Sequence, residues 1–146
     1  MKLTIKLTAA FLMIFFLFTS EHSTKENPIY GTWKIINGKH NGTVAPQFIM
    51  DRFQSFDKSQ TFQTLIKMPD GKQVIGNMGS FYLVNDTTIV TYHKDQRGKL
   101  DNIANTYNFQ IKDDTMHFYG FYLRQLSDNQ TTLSKVYIDE WWVKIK

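Results

Sequence analysis

Apolar and polar side chains alternate along several short segments of the chain. In the segment 104–112 (ANTYNFQIK), Tyr107, Phe109 and Ile111 alternate with polar residues. Successive side chains of a β-strand point to opposite faces, so this period of two predicts a half-buried strand. Turn-forming sequences separate such segments, and PDGK (69–72) is the strongest of them. The pattern therefore predicts strands that are joined by short turns.

Eight segments of the chain fit a strand. They are TWKIIN (32–37), FIMDRFQSF (48–56), TFQTLIKM (61–68), QVIGNMGSFYLV (73–84), TIVTYHK (88–94), ANTYNFQIK (104–112), TMHFYGFYLR (115–124) and TLSKVYIDEWWVKIK (132–146). Gly76 and Gly79, in the fourth segment, indicate a bulge or a sharp bend. The second segment is ambiguous, because residues 46–56 would also fit a helix of about three turns.

The near-regular spacing of these segments predicts an all-β fold with the strands in an antiparallel meander. A chain of 146 residues has room for one such domain. Eight strands can form a sandwich, or they can close into an eight-stranded antiparallel up-and-down barrel. Closure removes both exposed sheet edges, which matters in a chain without cysteine and hence without disulfides. We therefore expect the barrel.

The N-terminus has the pattern of an export signal. Lys2 and Lys6 precede the apolar run Ala9–Phe18, which is shorter than the roughly 20 residues of a membrane span. We expect cleavage between Thr19 and Lys25, with a retained membrane anchor as the alternative. The predicted division is a signal peptide at residues 1–20, a disordered lead-in at 21–29 and the barrel domain at 30–146.

The composition limits the cellular compartment and the classes of partner that we expect for the protein. Without cysteine there is no site for lipid attachment at a lipoprotein signal, so we expect an exported protein in the periplasm or outside the cell. The formal net charge of +4 falls to +2 once Lys2 and Lys6 are removed with the signal. This charge is too small to argue for nucleic acid or an anionic membrane as a partner. We expect no stable membrane insertion after signal removal.

The two ends of the predicted barrel domain carry a recognisable pairing of motifs. Gly31-Thr32-Trp33 opens the first strand, and DEWWVKI (139–145) lies in the last one. A Gly-x-Trp start with a Glu-x-Trp-x-basic ending resembles the lipocalins and the wider calycin group. It resembles most the small exported bacterial lipocalin-like domains of unknown function. The resemblance spans Tyr30 to Ile145 and implies an eight-stranded barrel.

In that group the tryptophan closes one end of the barrel, and a basic residue of the last strand packs over it. The resemblance therefore implies that Trp33 is a plug beneath Lys144, at a position where lipocalins usually have Arg. The residues expected to close the barrel are Gly31, Trp33, Glu140, Trp142 and Lys144. An inward tryptophan in this role would make a poor platform for a ligand.

Glu140, Trp142 and Lys144 share one face of the last strand, so an inward Trp142 brings both charges inward. A buried charge needs a partner. The two could serve each other or a group on another strand, and Arg52 and Arg124 are the obvious further cations. Either these charges form a structural ion pair that seals the barrel floor, or one of them holds the polar head of a ligand. Arg52 and Arg124 are better anchors for a ligand carboxylate, because the tryptophan stack would occupy Lys144.

The sequence shows no catalytic or metal-binding constellation. The four histidines have no pair at the short spacing of zinc ligands; they are His22, His40, His93 and His117. Asp139 and Glu140 are adjacent in a strand and therefore point to opposite faces. We expect no enzymatic activity, no cofactor and no metal.

The predicted function is binding of a small apolar or amphipathic molecule in the mouth of the barrel, framed by the loops Lys39–Pro46 and Asp95–Asn102. The candidate ligand-binding residues are Arg52, Phe62, Tyr107, Phe109, Tyr122 and Arg124. Phe, Tyr and Trp make up 15% of the chain, so the aromatic rings could instead fill the interior. The alternative is then a structural or protein-interaction module with a filled core and no small-molecule ligand.

Overall fold

The chain folds into one closed β-barrel, seen in a computed structural model that describes residues 26–44, 51–94, 100–125 and 133–146. The strands are β1 (Gly31–His40), β2 (Asp51–Phe56), β3 (Thr61–Lys67), β4 (Gln73–Asn85), β5 (Thr88–Lys94), β6 (Leu100–Lys112), β7 (Thr115–Gln125) and β8 (Leu133–Lys144). Each strand pairs antiparallel with the next in sequence, and β8 pairs with β1. The predicted all-β, eight-stranded up-and-down barrel is confirmed, and the sandwich alternative is excluded.

The helix considered at residues 46–56 is absent from the described half of that segment, because Asp51–Phe56 forms β2. Residues 45–50 lie outside the described residues. The bulge expected in β4 is present. Thr64 faces Asn77 and Leu65 faces Ile75, so Gly76 is the extra residue between two register positions. A bulge of this kind bends the strand and increases its twist, as closure of a small barrel requires.

β1 is longer than predicted, and it changes parity along its length. The predicted strand ends at Asn37, whereas the observed one continues to His40. Ile35 pairs with Trp142 and Asn37 pairs with Trp141, so Ile36 is an extra residue in the ladder. Gly38 and His40 consequently point to the same side of the sheet as Trp33 and Ile35, although a regular strand would turn them outward.

One end of the barrel is closed by the segment that precedes β1. Trp33 is fully buried, and its indole Nε1 donates a hydrogen bond of 2.7 Å to the Ile29 carbonyl oxygen. Lys144 Nζ lies 5.2 Å from the centroid of the Trp33 ring and donates to the Pro28 carbonyl oxygen at 3.0 Å. Ile29, the last residue of the predicted lead-in, is itself fully buried, so barrel packing begins at least as early as Ile29.

Gly31 makes the close approach of Lys144 possible. Its φ of 124° is a conformation that side chains rarely adopt. A Cβ at this position would lie 3.0 Å from Lys144 Cε, so the lysine would have to shift by a few tenths of an ångström. The Gly-x-Trp motif is therefore explained by local geometry at the closed end.

The core is made of side chains that point into the barrel from all eight strands and from Ile29. Its aromatic members form edge-on and tilted pairs, such as Phe56 with Phe81 at a centroid distance of 5.4 Å. The buried core comprises Ile29, Trp33, Ile35, Phe56, Phe62, Phe81, Ile89, Tyr107, Phe109, Met116, Phe118, Ile138 and Trp142. Within the described ranges, no helix is long and apolar enough to cross a membrane.

We expect Trp33→Ala to lower the free energy of unfolding by about 3–5 kcal/mol, because it removes a fully buried ring and leaves a cavity. Trp141→Ala is the matched control, since Trp141 is 41% exposed on the outer face of β8 and stacks only on His117 there among the described rings. Its loss should be about 1 kcal/mol or less. Urea denaturation of both variants measures the difference, and equal losses would contradict the assignment of Trp33 as the plug.

Candidate functional site

The barrel contains a cavity of about 420 Å³ in the half that lies away from Trp33. Among the described residues, its lining combines rings and aliphatic groups with many polar groups. The lining residues are His40, Arg52, Gln54, Phe62, Thr64, Ile66, Gly76, Asn77, Thr91, His93, Tyr107, Phe118, Tyr122, Ser134, Val136, Ile138 and Glu140. The interior is therefore not solidly filled with side chains.

The cavity lies toward one defined end of the barrel. His40, Ile66 and His93 stand near the C-terminal ends of β1, β3 and β5, and Ser134 stands near the start of β8. In an up-and-down barrel these positions share the end that carries the β1–β2, β3–β4, β5–β6 and β7–β8 connections. The described parts of the predicted mouth loops, Lys39–Pro46 and Asp95–Asn102, lie at this end, but Lys39 and His40 belong to β1 and residues 100–102 belong to β6. Residues 45–50 and 95–99 lie outside the described ranges.

A buried carboxylate is the electrostatic centre of the cavity. Glu140 is 3% exposed and accepts hydrogen bonds from His40 Nε2 at 2.8 Å and from Arg52 Nη2 at 2.5 Å. Both bonds end on the same oxygen, Oε1. The Arg52 guanidinium also lies over the Trp142 ring, with Cζ 4.9 Å from the centroid. We call Glu140, His40 and Arg52 the Glu140 centre.

Each member of the Glu140 centre comes from a different strand. Glu140 lies on the inward face of β8, Arg52 begins the inward face of β2, and His40 ends β1. The bulge at Ile36 is what turns His40 inward. The centre thus links three neighbouring strands of the barrel wall, β8, β1 and β2, at its polar end.

The environment of Glu140 keeps its carboxylate ionised. Burial alone would raise the pKa of Glu140, but the hydrogen bond from His40 and the positive charge of Arg52 outweigh it. The net effect lowers the pKa of Glu140 below its ordinary value of 4.5. The oxygens of Glu140 are therefore acceptors at neutral pH.

Two further titratable groups in the cavity are held neutral by burial. Burial, with smaller contributions from nearby Tyr122 and Glu140, raises the pKa of the Tyr107 phenol, so Tyr107 is a hydroxyl at neutral pH. Burial lowers the pKa of His93 despite the opposing charge of Asp101. The His93 ring lies 5.2 Å from the centroids of both Phe62 and Tyr122. This wall of the cavity offers uncharged rings.

The predicted ligand-binding residues fall into three groups according to their location in the structure. Arg52, Phe62, Tyr107 and Tyr122 line the cavity. Phe109 is 1% exposed and belongs to the apolar core. Arg124 lies in β7 opposite Ser134, but its side chain is outside what the structure describes.

The residues predicted to close the barrel separate into two groups. Gly31, Trp33 and Lys144 meet at the closed end. Glu140 lines the cavity instead, and the fully buried Trp142 lies beneath Arg52. The observed partners of Glu140 are Arg52 and His40, and Lys144 is bonded to the Pro28 carbonyl. The inward face of β8 therefore serves both ends of the barrel.

Several lining residues were not identified from the sequence. Thr64 lies two residues after Phe62, and Thr91 and His93 share a face, so strict alternation could have identified these three. His40 carries no such signal, because it follows a bulge that no residue pattern marks. Gln54, Asn77 and Ser134 are the other polar residues missed.

Comparison with known proteins adds no identification. No protein-family model matches the sequence, and no curated protein matches it. The closed eight-stranded antiparallel barrel is compatible with a calycin-like fold. Within the described part of the chain, no group of three or more His, Cys, Asp or Glu side chains is placed to hold a metal ion.

We expect Glu140→Gln to lower the free energy of unfolding by about 3–5 kcal/mol at pH 7, because it removes the anion that offsets the Arg52 guanidinium. The lowered pKa of Glu140 also sets a pH dependence. Its stabilisation is complete above the ordinary pKa of 4.5 and is lost as the pH falls through the lower folded value. As the pH falls below about 5, the wild type should therefore lose more stability than Glu140→Gln.

Asp139→Asn is the control, since it removes the neighbouring carboxylate, which bonds His117 instead. This variant should keep most of the acid sensitivity of the wild type. Denaturant titrations at a series of pH values measure both effects. An acid sensitivity that Glu140→Gln leaves unchanged would contradict the role of Glu140.

Proposed function

We propose that this protein is an exported lipocalin-like barrel that binds a small amphipathic molecule in its lumen without transforming it. The observation that carries the proposal is the cavity of about 420 Å³ inside a closed barrel. Small-molecule sites in proteins typically measure about 300–1,000 Å³ and combine an apolar lining with a few polar groups. The competing proposal, an interaction module with a filled core, has less support because space remains in the lumen.

The lining supports an amphipathic ligand over a purely apolar one. Phe62, Phe118 and Val136 offer apolar surface, while Glu140, Gln54 and the other polar groups need hydrogen-bond partners when water leaves. A wholly apolar molecule would displace water from these groups without replacing its hydrogen bonds, and it would lose affinity for that reason. A molecule with an apolar body and a polar end satisfies both parts of the lining.

The arrangement of these polar groups supports ligand binding better than it supports catalysis. The polar groups at the Glu140 centre bond one another, with Oε1 of Glu140 accepting from both His40 and Arg52. Tyr107 and His93 are neutral and lie among other rings. Such groups can orient a ligand through hydrogen bonds and ring contacts.

Uptake of N-phenyl-1-naphthylamine, whose emission rises in an apolar site, tests the proposal. We expect a saturable rise with the wild type and at least about tenfold weaker binding by Val136→Trp, because the added ring enters the cavity. Tyr137→Trp is the matched control, since the neighbouring residue faces outward and contacts Phe121. It should change the affinity by less than about twofold.

Circular dichroism should show the same β signal for both tryptophan variants, so that a loss of binding is not a loss of fold. Absence of probe uptake by the wild type would contradict a ligand-binding lumen. Equal binding by Val136→Trp and the wild type would place the probe elsewhere on the protein.

Export is tested by expressing the full chain in a bacterium and fractionating the cells. We expect the protein outside the cytoplasm, with a new N-terminus between Thr19 and Lys25, because Lys2, Lys6 and the run Ala9–Phe18 form a signal pattern. Removal of residues 2–18 should retain the protein in the cytoplasm. An uncleaved, membrane-bound product would support the anchor alternative.

A further inference from the structure

The two oxygens of Glu140 are used unequally. His40 and Arg52 both donate to Oε1. Among the described residues, no hydrogen bond reaches Oε2. An ionised carboxylate can accept about four hydrogen bonds over its two oxygens. Because Glu140 lines the cavity, Oε2 can accept a hydrogen bond from a molecule inside it.

The charge around this oxygen disfavours an anionic ligand. In the described lining, the Glu140 carboxylate and the Arg52 guanidinium carry opposite formal charges, and these two offset each other across one hydrogen bond. A ligand carboxylate bound at Arg52 would lie beside the Glu140 carboxylate. Two neighbouring negative charges repel strongly in a buried site. A ligand that donates a hydrogen bond meets no such cost.

The walls of the cavity suit a flat, unsaturated body. The rings of Phe62, His93 and Tyr122 form one run, with successive centroid distances of 5.2 Å. Tyr107 and Phe118 form a second pair, at 4.8 Å. Aromatic rings gain by stacking or by edge-to-face contact with one another beyond the area that they bury.

We propose that the lumen selects an uncharged aromatic molecule whose hydroxyl or amino group donates a hydrogen bond to Oε2 of Glu140. The inference rests on the proposed binding function and names its ligand class. It replaces the expectation of a carboxylate held by Arg52. The ring body of the ligand lies against the aromatic walls, and the Glu140 centre sets its orientation.

Three naphthalenes that differ only in their polar group test this selectivity. 2-Naphthol donates a hydrogen bond, 2-methoxynaphthalene only accepts, and 2-naphthoate is an anion. Their affinities for the wild type are measured at pH 7 by displacement of N-phenyl-1-naphthylamine. We expect 2-naphthol to bind at least about tenfold more tightly than either of the other two, since a hydrogen bond to a charged group is among the stronger ones.

A double variant assigns the preference to the Glu140 centre. Arg52→Gln with Glu140→Gln removes both charges together, which avoids leaving one buried charge without its counterion. We expect the preference for 2-naphthol over 2-methoxynaphthalene to fall below about threefold. Asp139→Asn, on the outer face of the same strand, should retain the full preference.

The outcomes separate the inference from the proposed function. Tighter binding of 2-naphthoate, or equal binding of all three compounds, overturns the inference while leaving a ligand-binding lumen. An unchanged preference in a folded double variant overturns the assignment to Glu140. If the double variant does not fold, the ranking of the three compounds on the wild type still decides. Failure of N-phenyl-1-naphthylamine to bind the wild type at all contradicts the proposed function itself.

Discussion

The burial of Glu140 is the constraint on which the polar half of the barrel depends. An ionised carboxylate that is 3% exposed is costly unless it is paired and hydrogen-bonded. β8 presents Glu140 inward, so the neighbouring walls must supply donors, and they do so through Arg52 on β2 and His40 on β1. Arg52 in turn needs a surface to lie on, and the Trp142 ring provides it. One charge thus fixes the inward residues of three strands.

The inward face of β8 supplies different side chains to the two ends of the barrel. Glu140 and Lys144 share a face, but four residues of strand separate them by about 13 Å. Lys144 therefore reaches the Trp33 ring and the Pro28 carbonyl at one end, while Glu140 stands in the cavity. The apolar plug holds the barrel without disulfides, and this leaves the other half free to carry polar groups that contribute little to packing.

Alternation and turn chemistry were enough to predict the eight strands, and the removal of sheet edges then favoured a barrel over a sandwich. The eight predicted segments correspond in order to the eight strands, and Gly76 marks the observed bulge in β4. Alternation in β8 placed Glu140 on the same face as Trp142, which is why Glu140 could be selected from sequence, whereas Arg52 was selected only as a further cation. Their pairing could not be predicted, because alternation determines which way a side chain points and not which strand lies opposite.

The bulge in β1 shows why part of the site lay beyond sequence reasoning. A regular strand would bury Asn37 and Lys39 and expose His40. Inserting one residue reverses this order, at the cost of leaving Ile36 58% exposed on the outer surface. The insertion places Ile36 on the outer face and brings Gly38 and His40 to the inner one. The bulge makes the hydrogen bond from His40 to Glu140 possible. The irregularity in β1 therefore contributes a polar group to the cavity.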